Sequence, residues 1–275
     1  MIDAETAPKH GYPFRLGCTS YVYPGDIAFN AQRLAPVFDD IELVFFQSSD
    51  ACSDACAHAC NFPDSVTIDL LKELSEKHGT SYTVHFPIDK KAGAACVSER
   101  DGFFKQVKSL VELTSELKPF GYILHLEGIH RQSSEAQKRL WLGYASQTCE
   151  RIKSIRGLDA ARICVENLDY PLSWHDTVSA TFGFSLCLDL GHLFLYKEDI
   201  GRTVSGLLPN VRVVHLHGVC GGKDHSSLKK HDLSKLAPVV REVLSGFSGV
   251  VTLETFNETD TLKAPSEGLG LETIG

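Results

Sequence analysis

The sequence has no long hydrophobic run. Its apolar stretches fall well short of the ~20 residues that a membrane-spanning helix needs. The amino-terminal segment MIDAETAPKHGYPF also lacks the charged-then-apolar layout of a secretory signal. We therefore expect a soluble, cytoplasmic protein without a membrane span.

The sequence also has little positive charge for its size. It carries 27 Lys and Arg against 35 Asp and Glu, which gives a formal net charge of −8. Binding to a nucleic-acid backbone relies on clustered Lys and Arg that release counterions from the phosphates. The charge balance therefore argues against nucleic acid as a partner, and it leaves the oligomeric state open.

Paired cysteine clusters of the kind that hold structural zinc are absent as well. The nine cysteines are scattered along the chain, an odd number that favours reduced thiols over a disulfide framework. Three of them, Cys52, Cys56 and Cys60, fall every fourth residue in a predicted Cys-rich loop insertion, 51–62. A soft-metal or redox site is one interpretation. Because no second cluster exists, we favour small side chains that pack a loop helix.

Eight short apolar runs, rich in β-branched residues, alternate with helical patterns. Each run is apolar along most of its length, as in strands covered on both faces, and the runs begin at Arg15, Asp40, Ser81, Tyr122, Arg162, Phe184, Val211 and Gly249. Between them, the hydrophobic periodicity and the capping residues predict helices over 64–78, 98–117, 134–155 and 234–244.

A strand-then-helix unit repeated about eight times in one chain of 275 residues predicts an α/β fold, the (β/α)8 TIM barrel. The rival doubly wound sheet would carry a phosphate-binding glycine turn after its first strand, and TSYVYPGD has no such pattern. We therefore predict a single TIM-barrel domain over 1–275. Its amino-terminal arm would cover 1–14, and 257–275 would form an irregular tail.

Histidines and acids lie at or near the carboxyl ends of the predicted strands, where a TIM barrel gathers its active-site groups. Imidazole and carboxylate are the ligands that zinc, manganese or iron use in hydrolytic and isomerising sites. A lone histidine would more often be structural, but so many buried ionisable groups would be costly without a shared cation. We predict these metal ligands: His85, His125, Glu166, Asp189, His192, His215, Asp224, His225 and Glu254.

The order of these residues resembles the xylose isomerase-like TIM barrel superfamily, and within it the endonuclease IV branch. The resemblance covers essentially 15–257 and implies up to three zinc ions around a phosphodiester. One departure is that Asp224 and His225 are adjacent in GGKDHSSL, whereas the branch separates that pair by one residue.

Segments outside the ligands are similar to the cobamide-remodelling phosphodiesterases of the same superfamily. These segments are RLGCTSYVYPGDIAFNAQRLAPVFDDIELVFF, NFPD, SYTVHFPID and HLHGVCGGKDHSSL. The resemblance implies a metal-dependent hydrolysis of the cobamide nucleotide loop, for corrinoid remodelling, with two or three divalent ions. Zinc is the expected ion, and manganese or iron are the alternatives.

Roles follow for the remaining candidates. Glu166, Glu254, His217 and Asp224 are the candidate catalytic residues, the last two as groups that position water. Tyr21 and Tyr23, after the first strand, are candidates for an aromatic wall against a corrin ring, and Gln47 for an amide contact to the substrate. Rim packing is the plainer alternative for the tyrosines, and capping of the second strand is the alternative for Gln47.

Two other functions stay open. Single-metal sugar isomerases and epimerases of the superfamily resemble a smaller part of the pattern, the quartet Glu166, Asp189, His215 and Glu254, with the two glutamates as acid and base. A non-catalytic corrinoid or metal carrier is the third possibility. His85 and His125 favour hydrolysis, because the single-metal enzymes do not use them.

Overall fold

The computed structural model of the protein describes residues 8–45, 62–198, 206–228 and 243–264. Eight parallel strands form a closed barrel in the order β1-β10-β7-β6-β5-β4-β3-β2. The barrel strands are β1 (Arg15–Thr19), β2 (Asp40–Val44), β3 (Ser81–His85), β4 (Tyr122–Leu124), β5 (Ile163–Glu166), β6 (Ser185–Asp189), β7 (Val211–Leu216) and β10 (Val250–Leu253). The predicted TIM barrel is confirmed, with each strand starting within one residue of its predicted start.

Helices follow the strands on the outside of the barrel. Those in the described part of the chain are α1 (Ile27–Leu34), α2 (Ser65–His78), α3 (Val97–Thr114), α4 (Glu135–Lys153), α5 (Leu172–Phe182), α6 (Leu190–Leu195) and α7 (Glu258–Lys263). None of them is long and apolar enough to cross a membrane. The helix predicted over 234–244 falls almost entirely outside the described residues.

Capping residues set where these helices begin. Asp64 accepts a hydrogen bond from Thr67 N at the start of α2, and Ser134 forms a reciprocal capping box with Gln137 at the start of α4. Both contacts satisfy main-chain N–H groups that the first helical turn leaves free. Helix α2 ends at Gly79, whose left-handed φ of 67° suits a residue without a Cβ.

The carboxyl-terminal side of the barrel carries a two-stranded antiparallel hairpin, β8 (Gly218–Cys220) and β9 (Lys223–Ser226). The sequence patterns did not predict it. Helix α7 occupies the first part of the tail that was expected to be irregular. Of the predicted arm, residues 8–14 are described; Lys9 Nζ donates to Ala35 O at 2.7 Å, and Phe14 is buried.

The interior of the barrel is apolar below its carboxyl-terminal end. Ile123, Cys164, Cys187, Val213 and Val250 form a buried cluster there. Because strand side chains alternate between faces, the residue two positions later on each of these strands also points inward. Those later positions are histidines, acids and one threonine, so the apolar layer forms the floor of a polar site.

Candidate metal centre

The strand ends place the predicted ligands around one axis. His85, Glu166 and Asp189 are the last residues of β3, β5 and β6, while His125 and Glu254 directly follow β4 and β10. All of these except His125 are buried. The barrel thereby brings together residues that are up to 169 positions apart, from His85 to Glu254.

A first group consists of two imidazoles and one carboxylate. Glu166 Oε2 lies 3.7 Å from His85 Nε2 and 3.0 Å from His125 Nε2. The other nitrogen of each ring faces the protein, because His85 Nδ1 lies 2.8 Å from Phe86 O and His125 Nδ1 lies 3.5 Å from Glu127 Oε1. Both Nε2 atoms are therefore turned towards the shared carboxylate.

A second group shares Glu166 with the first. It consists of Glu166, Asp189, His215 and Glu254, whose ligand atoms lie within 4.8 Å of one another. His215 Nδ1 is 3.4 Å from Glu166 Oε2 and 3.3 Å from Glu254 Oε2. Its Nε2 is held by Glu42 Oε2 at 2.9 Å, a contact that fixes the ring. Glu42 therefore serves as the structural partner of His215.

A third group contains three imidazoles, His192, His217 and His225, again within 4.8 Å of one another. His192 Nδ1 donates to Asn167 O, with 2.9 Å between the two atoms, and His225 Nδ1 lies 3.3 Å from Glu254 O. The side chain of Asn167 also makes two hydrogen bonds to the main chain of Asp189. Its Oδ1 accepts from Asp189 N at 2.7 Å, and its Nδ2 donates to Asp189 O at 3.0 Å.

The electrostatics of the cluster are dominated by carboxylates beside imidazoles. Burial raises the pKa of Glu166, but the neighbouring His125 and His215 outweigh it and hold that pKa well below its usual value. Burial lowers the pKa of His125, yet Glu166 and Glu127 raise it to about 10. Without a cation these imidazoles and carboxylates form ion pairs. Because a histidine must be neutral to bind a metal ion, metal ions and protons compete for the imidazoles.

Buried atoms that lack a hydrogen bond at the centre support a cation there. His215 Nδ1 and Glu254 Oε2 are both buried, and although they lie 3.3 Å apart neither makes a hydrogen bond of acceptable geometry. Leaving such atoms unpaired is costly. Imidazole nitrogens and carboxylate oxygens are the donors that zinc, manganese and iron accept, so the residues fit divalent ions in both groups that share Glu166.

A cavity of about 500 Å³ opens directly above the centre. Its lining combines the predicted ligands and other charged side chains, among them Lys91, with apolar side chains that include Ile88, Leu168 and Phe256. A larger cavity of about 790 Å³ lies at the other end of the barrel, between the starts of β6, β7 and β10. Because none of the predicted ligands lines it, the chemistry belongs to the smaller cavity.

Other predicted site residues lie apart from the groups. The carboxylate of Asp224 is 43% exposed, and its Oδ2 lies 3.9 Å from His225 Nε2. It lines the cavity but belongs to none of the ligand groups found in the described residues, so its role as a ligand stays a prediction. Tyr23 packs against Phe29, and in the described part of the chain neither it nor Tyr21 lines the cavity. Gln47, Cys52, Cys56 and Cys60 lie outside the described residues.

Sequence patterns missed the residues that hold the ligands. Asn167 follows Glu166 directly but carries no metal-ligand signature, and Gly191 lies inside DLGH as an ordinary helix residue. A Cβ atom at position 191 would come within 2.1 Å of the His217 ring. Only the packing of α6 on β7 makes that constraint visible.

Comparisons with known proteins agree with the fold. A family model described as xylose isomerase-like TIM barrel matches residues 37–272. A search of curated proteins found no match.

The solved structures with the same fold include the following three. A D-tagatose 3-epimerase-like protein is 18% identical, covers 92% of this chain and 95% of its own, and superposes with a TM-score of 0.72. The IOLI protein with a binding zinc atom is 14% identical, with 93% and 94% covered and a TM-score of 0.66. Endonuclease IV from Thermus thermophilus is 14% identical, with 87% and 92% covered and a TM-score of 0.65.

Proposed function

The chain belongs to the xylose isomerase-like TIM barrel family, and on that basis we propose that it is a metal-dependent phosphodiesterase. Its substrate would be the nucleotide-loop phosphoester of a cobamide, which it would cleave to cobinamide phosphate and an α-riboside. The observation that carries the proposal is that Glu166 is shared by two adjacent ligand groups, one with His85 and His125 and one with Asp189, His215 and Glu254.

A shared carboxylate between two ligand groups is the arrangement of a two-ion site. Two divalent ions ~3.5–4 Å apart activate water and stabilise both the attacking and the leaving oxygen of a phosphodiester. An epimerase needs one ion and the quartet alone. His85 and His125 would then have no chemical task, although both turn Nε2 towards Glu166.

The chain's own residues orient this chemistry. Glu42 holds His215, and Asn167 holds both Asp189 and His192, so the ligands are fixed before any substrate arrives. At the rim, Lys91 supplies a cation that suits a phosphate oxygen.

The cobamide as substrate is supported by the resemblance of the segments around β1, β3 and the β8–β9 hairpin. The cavity is consistent with it in one respect. A corrin ring is far larger than a cavity of about 500 Å³, so only the nucleotide-loop end of the substrate would enter while the corrin stays outside.

The test is incubation of the purified protein with adenosylcobalamin and zinc, manganese or iron, followed by mass spectrometry for cobinamide phosphate. Glu166→Gln should lower product formation at least ~10³-fold, because it removes a ligand from both groups. Glu150→Gln, on the exposed face of α4, is the matched control and should behave like the wild type. No product with any of the three metals would contradict the proposal.

A sugar epimerase is the second candidate, favoured by the D-tagatose 3-epimerase-like neighbour and by the complete quartet. In that reaction Glu166 and Glu254 would move a proton beside a carbonyl. Metal content and isotope exchange separate the two functions. One bound ion per chain and solvent deuterium entering a ketose would favour the epimerase, whereas two or more ions and phosphoester cleavage favour the hydrolase.

A further inference from the structure

His217 occupies a special place beside the centre. It directly follows β7, its side chain is 0% exposed, and its ring lies against the backbone of α6. The ring fits there because residue 191 is a glycine, since a Cβ atom would come within 2.1 Å of the imidazole. Packing against α6 therefore restricts the orientation of the imidazole.

Its Nδ1 atom faces a main-chain donor. The N–H of His225 donates to His217 Nδ1 at 2.9 Å, a contact shorter than the 3.2 Å between the same nitrogen and Gly218 O. An amide hydrogen cannot move, so Nδ1 must present its lone pair to it. In a neutral imidazole the ring hydrogen then belongs to Nε2.

Nε2 faces the carboxylate of Asp189, with 3.2 Å between His217 Nε2 and Asp189 Oδ2. The other oxygen of Asp189, Oδ1, accepts the main-chain N–H of His192 at 2.6 Å. Each carboxylate oxygen therefore has one fixed donor, which leaves the remaining lone pairs of Oδ2 directed towards the group formed with Glu166, His215 and Glu254.

We propose that His217 is a positioning residue that fixes the Asp189 carboxylate for metal binding by donating from Nε2, with its tautomer set by the His225 amide. The inference rests on the proposed function only in treating Asp189 as a metal ligand, and it requires no particular substrate. It differs from the water-positioning role predicted from the sequence. It also differs from a ligand role for His217 in the three-imidazole group.

Two substitutions test the two nitrogens of the His217 ring separately. In His217→Gln the side-chain amide nitrogen lies near the former Nε2 and keeps the donor to Asp189. In His217→Asn the side-chain oxygen lies near the former Nδ1 and keeps only the acceptor for the His225 amide. His78→Gln is the control for loss of an imidazole, because His78 lies in the last turn of α2 and does not line the cavity.

The measurements are zinc affinity by competition with a chelator, the zinc content at saturation, and long-range proton–nitrogen NMR of the histidine rings. We expect His217→Asn to weaken zinc binding about 10–100-fold with an unchanged number of ions at saturation. His217→Gln should recover most of the affinity, and the wild-type spectrum should show His217 with hydrogen on Nε2.

Three outcomes would overturn the inference. Loss of one zinc per chain in both variants would make His217 a ligand, and so would hydrogen on Nδ1 in the zinc-loaded protein. Equal affinity of His217→Asn and the wild type would mean that Asp189 needs no such partner. Because no outcome depends on phosphoester cleavage, failure of the proposed hydrolysis would be seen separately in the product assay.

Discussion

At the scale of single residues, the histidines of the centre share one arrangement. One ring nitrogen of each is held by the protein: His85 uses Phe86 O, His192 uses Asn167 O, and His215 uses Glu42. Such partners orient the rings and raise their basicity as ligands. The centre is therefore arranged by the protein without needing an ion to gather it.

A second residue-scale feature is Asp40, which is completely buried below the site. Burial raises the pKa of Asp40 to about 6, although Arg15 and the hydroxyl of Ser81 act in the opposite direction. The unfolded chain releases this proton near 3.8, the ordinary value for Asp. The folded state therefore binds more protons between these two values, and its stability falls as the pH rises through that window.

Asp40→Asn should remove this pH-dependent loss of folding stability. As the pH rises from about 5 to about 8, we expect the unfolding free energy of the wild type to fall by about 1.5 kcal/mol relative to that of the variant. Urea unfolding of the chelator-treated proteins at both pH values measures it. Asp69→Asn, at a side chain that is 72% exposed, is the control. Parallel pH dependence of Asp40→Asn and the wild type would contradict the assignment.

At the scale of elements, two short pieces of chain complete the site. Asp189 directly precedes helix α6 and is at once a strand end, the N-cap of the helix and a candidate ligand. The β8–β9 hairpin delivers His225, whose φ of 46° is uncommon for a residue with a side chain. Both elements follow strands of the barrel directly, so the ligands they carry are held close to it.

Gly191→Ala tests how α6 and the strand after it fit together. The new methyl group would collide with the His217 ring, so we expect weaker zinc binding, by a factor similar to that of His217→Asn, and a lower melting temperature. Gly143→Ala is the matched control, because residue 143 is exposed on α4 with nothing within 4 Å of an added Cβ. That change should stabilise the protein by up to about 1 kcal/mol. Unchanged zinc affinity in Gly191→Ala would contradict the packing argument.

At the scale of the whole molecule, the ligands tie the barrel together. The two groups that share Glu166 take residues from β3, β5, β6 and β7, and from the positions after β4 and β10. Ions that bind only the folded barrel stabilise it by mass action, by about 2.7 kcal/mol at a concentration 100-fold above the dissociation constant.

Metal removal should therefore lower the melting temperature, by roughly 5–10 °C for a chain of this size. Calorimetry after dialysis against a chelator, and again after zinc is restored, measures the difference. Glu166→Gln should show a much smaller difference between the two forms. Identical melting of the treated and restored wild type would argue against ions in the barrel.

The sequence by itself determined the eight barrel strands, three of the seven helices in the described part of the chain (α2, α3 and α4) and the presence of metal-binding residue types at strand ends. These depend on local patterns: apolar runs, caps, and side chains that alternate along a strand. The hairpin was missed, because KDHS is too polar to indicate a strand and pairs only with the short segment before it.

Only the tertiary structure decided how those residues meet. Glu166 lies between two ligand groups, Glu42 reaches His215 across 173 positions, and His217 faces Asp189 across α6. Such contacts depend on strand register and on the space left by one glycine, which no local pattern encodes. Chain spacing predicts which residue types reach the mouth of the barrel, and packing decides which nitrogen of each ring faces the centre.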